Sequence, residues 1–93
     1  MRWTFPARND LRQIHAHIAM DSRYYAKKVV HEIVAKARSL EPLPERGRIV
    51  PEIEDPNVRE VFIYSYRLIY EIAADEIQVL AVIHGKRDLS QVD

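Results

Sequence analysis

The hydrophobic period of the chain changes once, and that change limits its fold more than any other feature. Up to Leu40, apolar residues recur at the 3.6-residue spacing of helices. From Val58 onward they recur every second residue, as strands require. Between the two regimes lies Glu41-Pro42-Leu43-Pro44-Glu45-Arg46-Gly47. It cannot continue a helix, because its prolines remove donors and fix φ, and Gly47 permits positive φ. Helices followed by strands make an α+β chain.

The first half holds two amphipathic helices. Trp3 and Phe5 suit a short first strand, or Phe5 already belongs to the next helix. Thr4 is a suitable N-cap and Pro6 is tolerated in a first turn. Ala7, Leu11, Ile14 and Ile18 form one helical stripe with His15 at its edge, and the helix runs to about Met20. Asp21-Ser22 interrupts the pattern and offers a second cap. Tyr25, Ala26, Val29, Val30, Ile33, Ala37 and Leu40 then form the next apolar face. So short a break predicts an antiparallel helical hairpin.

The second half reads as three strands over 58–64, 66–73 and 76–83, joined at Ser65 and at Ala74-Asp75 by tight turns. The last is apolar at nearly every position from Ile77 to Ile83, which suits a central strand with neighbours on both sides. The middle one alternates, with Leu68, Tyr70 and Ile72 on one face and Arg67, Ile69 and Glu71 on the other. The helices should cover the apolar face of this sheet. The opposite face, carrying Arg67, should stay open.

Composition narrows the function. The 93 residues suit a single domain, 1–93, without repeats or low-complexity segments. Cysteine is absent, which excludes disulfides, thiolate zinc sites and a thiol nucleophile. His15, His17 and His31 show no metal-ligand spacing with carboxylates, and two glycines cannot form a glycine-rich phosphate loop, so no metal or cofactor is expected. No apolar run approaches a membrane span, and the first residues lack a signal-peptide stretch, so a cytoplasmic protein without membrane contact is expected. Fourteen Lys/Arg balance fourteen Asp/Glu, which argues against tight nonspecific binding to nucleic acid. The first half is basic and the second acidic, as solvated helix faces would make them.

The ordered set of segments resembles one family. These are Trp3-Thr4, Ala7 through Asp10-Leu11 with Ile14 and Ile18, Asp21-Ser22, Gly47-Arg48 with Val50-Pro51-Glu52, and Val58-Arg59-Glu60-Val61. Tyr66-Arg67-Leu68-Ile69-Tyr70 and Val82-Ile83-His84-Gly85-Lys86-Arg87-Asp88-Leu89 complete it. Together they are similar to the RelE/ParE toxins of type II toxin–antitoxin (plasmid stabilization) systems. The resemblance implies the order β-α-α-β-β-β, with the helical hairpin on one face of a small, mostly antiparallel sheet. It implies a cognate antitoxin as partner, with operator DNA reached only indirectly through it. It implies one of two targets. ParE-like toxins inhibit DNA gyrase by protein binding, with the hairpin and the C-terminal strand end as contact surface. RelE-like toxins are ribosome-dependent endoribonucleases acting on mRNA. A nontoxic degenerate interaction module is a third reading.

The nuclease reading assigns residues. Arg67 matches the strand-motif arginine and would stabilise phosphorane-like charge, His84 would be acid or base, and Arg87 falls at a catalytic arginine position. The bland alternatives are a structural Arg67 paired with Glu60 or Glu71, a partner-contacting His84 and a solvated Arg87. Arg46, Arg48, Arg59 and Lys86 are candidates for target or phosphate contact. The sequence departs from the nuclease pattern in two places. Arg46 and Arg48 stand where such toxins carry a lysine cluster, and Leu89-Ser90-Gln91-Val92-Asp93 holds no tyrosine. Arginine hardly deprotonates, so it cannot replace a proton-transferring lysine. With neutral overall charge, this favours the ParE-like binding toxin over an enzyme.

Overall fold

Both helices start at the side-chain caps that the sequence supplies. The computed structural model of the protein describes residues 1–87. Its elements run β1 (Arg2–Trp3), α1 (Phe5–Ala19), α2 (Arg23–Arg38), a 3-10 turn at Pro44–Arg46, β2 (Arg48–Ile49), β3 (Val58–Ile63), β4 (Tyr66–Ile72) and β5 (Ile77–His84). Asp88, Leu89 and the tyrosine-free tail lie outside the described residues. Thr4 accepts from the Ala7 N–H at 3.3 Å and Ser22 from the Tyr25 N–H at 3.1 Å, so each cap satisfies one of the donors that its helix leaves orphaned. Phe5 belongs to α1, and β1 is only two residues long.

The sheet has the order β1-β5-β4-β3-β2, with β1 parallel to β5 and every other pair antiparallel. β5 lies between β1 and β4, as its apolar run predicts. That run is apolar for a second reason. The register slips between Ile69↔Ala81 and Tyr70↔Val79, leaving Leu80 as an extra residue, and Leu80 and Ala81 both pack on the face away from the helices. Val79 and Val82 stay on the helix side, where Ala7, Ile14, Val29, Ile33, Leu40, Leu68 and Tyr70 complete the main core. β1 is too short to pair all of β5. Beyond it, the Asp10 carboxylate of α1 accepts from the Val82 N–H at 2.9 Å.

The face opposite the helices is not open. The segment from Val50 to Asn57 straps across it, and Val50, Val58, Ile69 and Ile83 form a second buried cluster there. Arg67, expected on an exposed surface, is only 4 % exposed. Three local expectations also change. Tyr25 is 45 % exposed and packs edge-to-face on Tyr64, 6.5 Å between centroids, instead of entering the core. Tyr64 sits in the β3–β4 turn with φ 55°. Gly47 has φ −72°, so its freedom is not the reason for glycine. A Cβ there would lie 2.5 Å from the Tyr70 hydroxyl and 2.7 Å from the Glu60 carbonyl oxygen, so the close approach requires glycine.

Candidate functional site

Alternation along β4 separates Arg67 from His84, two residues that the nuclease reading would bring together. Tyr66 pairs with His84 and shares its face of the sheet, while Arg67 pairs with Phe62 and Ile83 and points to the other side. Arg67 therefore lies under the strap. Its Nε donates to Glu60 Oε1 at 2.6 Å, and its two terminal nitrogens donate to the two Glu52 oxygens at 2.8 Å each. Nη1 also donates to the Arg87 carbonyl at 2.8 Å. The forked pair with Glu52, ahead of the contact with Glu60, holds the guanidinium still more firmly protonated than usual, although burial opposes this. Glu60 is the partner that the sequence offered. Glu71 is not one, and Glu52 was not foreseen in this role.

Glu60, 1 % exposed, also takes Nε of Arg48 at 2.5 Å. Arg48 lies with its guanidinium carbon 5.1 Å from the Phe62 ring centroid, keeping more than half its side-chain surface in solvent. Arg59 turns inward and donates to the carbonyls of Pro56, Glu45 and Gly47 at 2.9, 3.2 and 3.1 Å. It ties the 3-10 turn to β3. The Tyr70 hydroxyl adds a second tie, donating to the Pro44 carbonyl at 2.6 Å and accepting from the Gly47 N–H at 3.0 Å. Burial raises the pKa of that phenol, against the Gly47 hydrogen bond and the nearby arginines. Arg46 alone of this basic group is exposed and enters no ion pair among the described residues. Among these residues no buried side-chain polar atom lacks a partner, and no three His, Asp or Glu residues stand close enough to hold a metal.

At the end of β5 two grooves meet. One, of about 470 Å³, is lined by Phe62, Tyr64, Tyr66, His84, Gly85 and Lys86. The other, of about 340 Å³, runs between α1 and β5 past Gln13, His17, Tyr66, His84 and Arg87. His84 is exposed, meets Tyr66 edge-to-face at 6.4 Å, and accepts the Lys86 N–H on Nδ1 at 3.3 Å. Phe62 and Tyr64 are 54 % and 47 % exposed, so the first groove presents aromatic surface beside one cation. His84 and Arg87 thus come together, as do His84 and Lys86, while Arg46, Arg48 and Arg59 gather around β2 and β3 at the far edge of the sheet. The aromatic lining was legible only as a period-two run of tyrosines. The Asp10–Val82 clasp had a weak signal, an acid flanking an apolar helical stripe.

A chain of a solved structure described as the chromosomal ParDE TA system from P. aeruginosa has the same architecture, with a TM-score of 0.75. It is 27% identical, over 89% of this chain and 91% of that one. No curated protein sequence matches the chain. The model of the ParE toxin of the type II toxin–antitoxin system, parDE, matches residues 1–89. The chain therefore belongs to the ParE toxin family of type II toxin–antitoxin systems.

Proposed function

We propose that this protein inhibits DNA gyrase by direct binding, in the cytoplasm, and is neutralised by a cognate antitoxin. The observation that carries the reading is the sequestration of Arg67. A self-cleaving RNA substrate needs a base, an acid and a cation around one phosphate. Four of the five Arg67 N–H donors are taken by two carboxylates and a carbonyl, and the side chain leaves the sheet on the side away from His84. A binding toxin needs contact surface instead. The aromatic groove at the end of β5, with Lys86 at its rim, has the makeup of an interface core. Family membership supports the antitoxin as partner, and among the described residues no helix is long and apolar enough to cross a membrane.

The test is supercoiling by purified gyrase with added toxin, with and without the product of the neighbouring gene. Inhibition relieved by that product is expected. Unaltered supercoiling at large toxin excess removes the proposal. The nuclease reading keeps one observation in its favour, His84 and Arg87 lining a common groove with His17. It predicts new transcript ends after induction that vanish in His84→Ala and Arg87→Ala. Harmless expression without the antitoxin would favour the nontoxic module.

A further inference from the structure

The two helices carry charge that the rest of the molecule does not neutralise. Residues 5–38 hold seven Lys/Arg against three Asp/Glu, although the whole chain is neutral. Two of those three acids are engaged, Asp10 by the Val82 N–H and Glu32 by the Tyr64 hydroxyl. Arg8, Arg12, Arg23, Lys27, Lys28 and Arg38 are all exposed, and none enters an ion pair among the described residues. Exposed carboxylates gather instead outside the two helices, where Glu41, Asp75 and Glu76 line one groove and two of them face the Met1 amine. Overall neutrality is an average over the whole surface, so it does not argue against a local polyanion site.

We infer that the outer face of the α1–α2 hairpin binds the phosphate backbone of duplex DNA directly, without sequence preference. On α2, Tyr24, Lys27, His31 and Arg38 follow one another along the solvent side. At about 1.5 Å per residue, that stripe is roughly 20 Å long, the span of several successive phosphates on one strand. Arg8 and Arg12, a turn apart on α1, add a second row. The makeup of the face selects the partner. Protein interfaces deplete charge at their centres, whereas DNA-contacting surfaces are polar and strongly positive. Single strands are held by successive aromatic platforms, and among these stripe residues Tyr24, 79 % exposed, offers the one large ring, with only the small imidazole of His31 beside it. This contact stands independently of gyrase binding. If both hold, they place gyrase on one end of the toxin and its DNA on the helices.

The experiment titrates the full chain into a fluorescent mixed-sequence duplex and reads anisotropy. Binding in the range of about 1–100 µM is expected at about 150 mM salt, and tighter at about 50 mM. Four or five neutralised phosphates give a weakening of roughly tenfold to twentyfold when salt is doubled. The double variant Lys27→Glu/Lys28→Glu should bind at least tenfold more weakly, with a log–log salt slope smaller by about 2. Arg8→Glu/Arg12→Glu is the independent second variant. Both are exposed changes, and an unaltered thermal midpoint verifies their fold. The inference is overturned by absence of binding at low salt, by full affinity in both variants, or by tighter binding of single-stranded DNA, RNA or an acidic polypeptide than of the duplex.

Discussion

Replacing Arg67 with alanine is expected to unfold much of what the strap face holds, because of what its removal leaves behind. Glu60 is 1 % exposed, and its remaining partner, Arg48, is itself largely solvated. Removing one member of a buried pair typically costs about 3–5 kcal/mol, chiefly the penalty of the stranded charge. A domain of this length has about 5–14 kcal/mol in total, so Arg67→Ala should lose at least about a fifth of its stability and, in a marginal domain, most of it. At about 4–8 °C per kcal/mol, the thermal midpoint should fall by roughly 12–40 °C. Glu52→Gln should be milder, at about 1–3 kcal/mol, because Glu52 sits nearer solvent, with 18 % of its side chain exposed. Replacing the set together, as Arg67→Met/Glu60→Leu/Glu52→Gln, removes charges and partners alike and should recover most of the loss. Urea denaturation of the variants gives the ordering, and gyrase inhibition measured well below each midpoint separates stability from function. A stable Arg67→Ala protein, losing less than about 1 kcal/mol, would refute the reasoning. So would a stable triple variant without activity, since it would make Arg67 a target contact.

Gly47→Ala should destabilise by about 1–3 kcal/mol, because its methyl group meets a backbone oxygen and a buried phenol that cannot both retreat; the denaturation midpoint reads it. Asp10→Ala should cost about 1–2 kcal/mol by orphaning the Val82 N–H, and amide exchange at Val82 should accelerate. Tyr70→Phe strands a donor and an acceptor and should cost about 1–3 kcal/mol near neutral pH. The Tyr70 pKa is raised on folding, so its contribution is complete below the phenol's unfolded value of about 10 and falls as pH rises through the higher folded value. Stability against pH should decline less steeply above about pH 10 in Tyr70→Phe than in the parent, and parallel curves would reject this role.

Local rules sufficed for the helices and the three long strands, because caps, hydrophobic period and turns all act within a few residues. Thr4, Ser22 and the run from Ile77 to Ile83 each did what their neighbours dictate. The strap was not legible. Its covering of the sheet depends on Val50 and Glu52 meeting Ile69 and Arg67, residues about fifteen or more positions away, and no periodicity marks a segment with two prolines. The same long-range pairing hid the state of Arg67. A strand arginine flanked by apolar residues reads equally as an exposed cation or a buried one, and only the position of a second carboxylate decides. Gly47 was legible as an exception but not for its reason, since missing volume and permitted positive φ leave the same letter. The aromatic groove formed from a turn whose Tyr64 takes a positive φ, a conformation that sequence preference assigns to glycine or asparagine.

The Arg67 network links stability to partner binding through geometry. One side chain joins the strap through Glu52, β3 through Glu60, and the segment after β5 through the Arg87 carbonyl. That last contact fixes the backbone next to Lys86, so the rim of the aromatic groove is held by the buried ion cluster beside it. The groove itself is lined by side chains that keep much of their surface in solvent, half-exposed Phe62 and Tyr64 among them. A partner that fills it binds only the folded chain and must therefore raise the unfolding free energy, by about 2.7 kcal/mol at a hundredfold excess over its dissociation constant. Weakening the network without removing a groove residue, as Glu52→Gln does, should then lower affinity by loosening the rim. The loss should appear mainly as faster dissociation, because the surface that steers encounter is unchanged. A Glu52→Gln protein that releases its partner at the parental rate would separate the two faces of the sheet and leave Arg67 a purely internal brace.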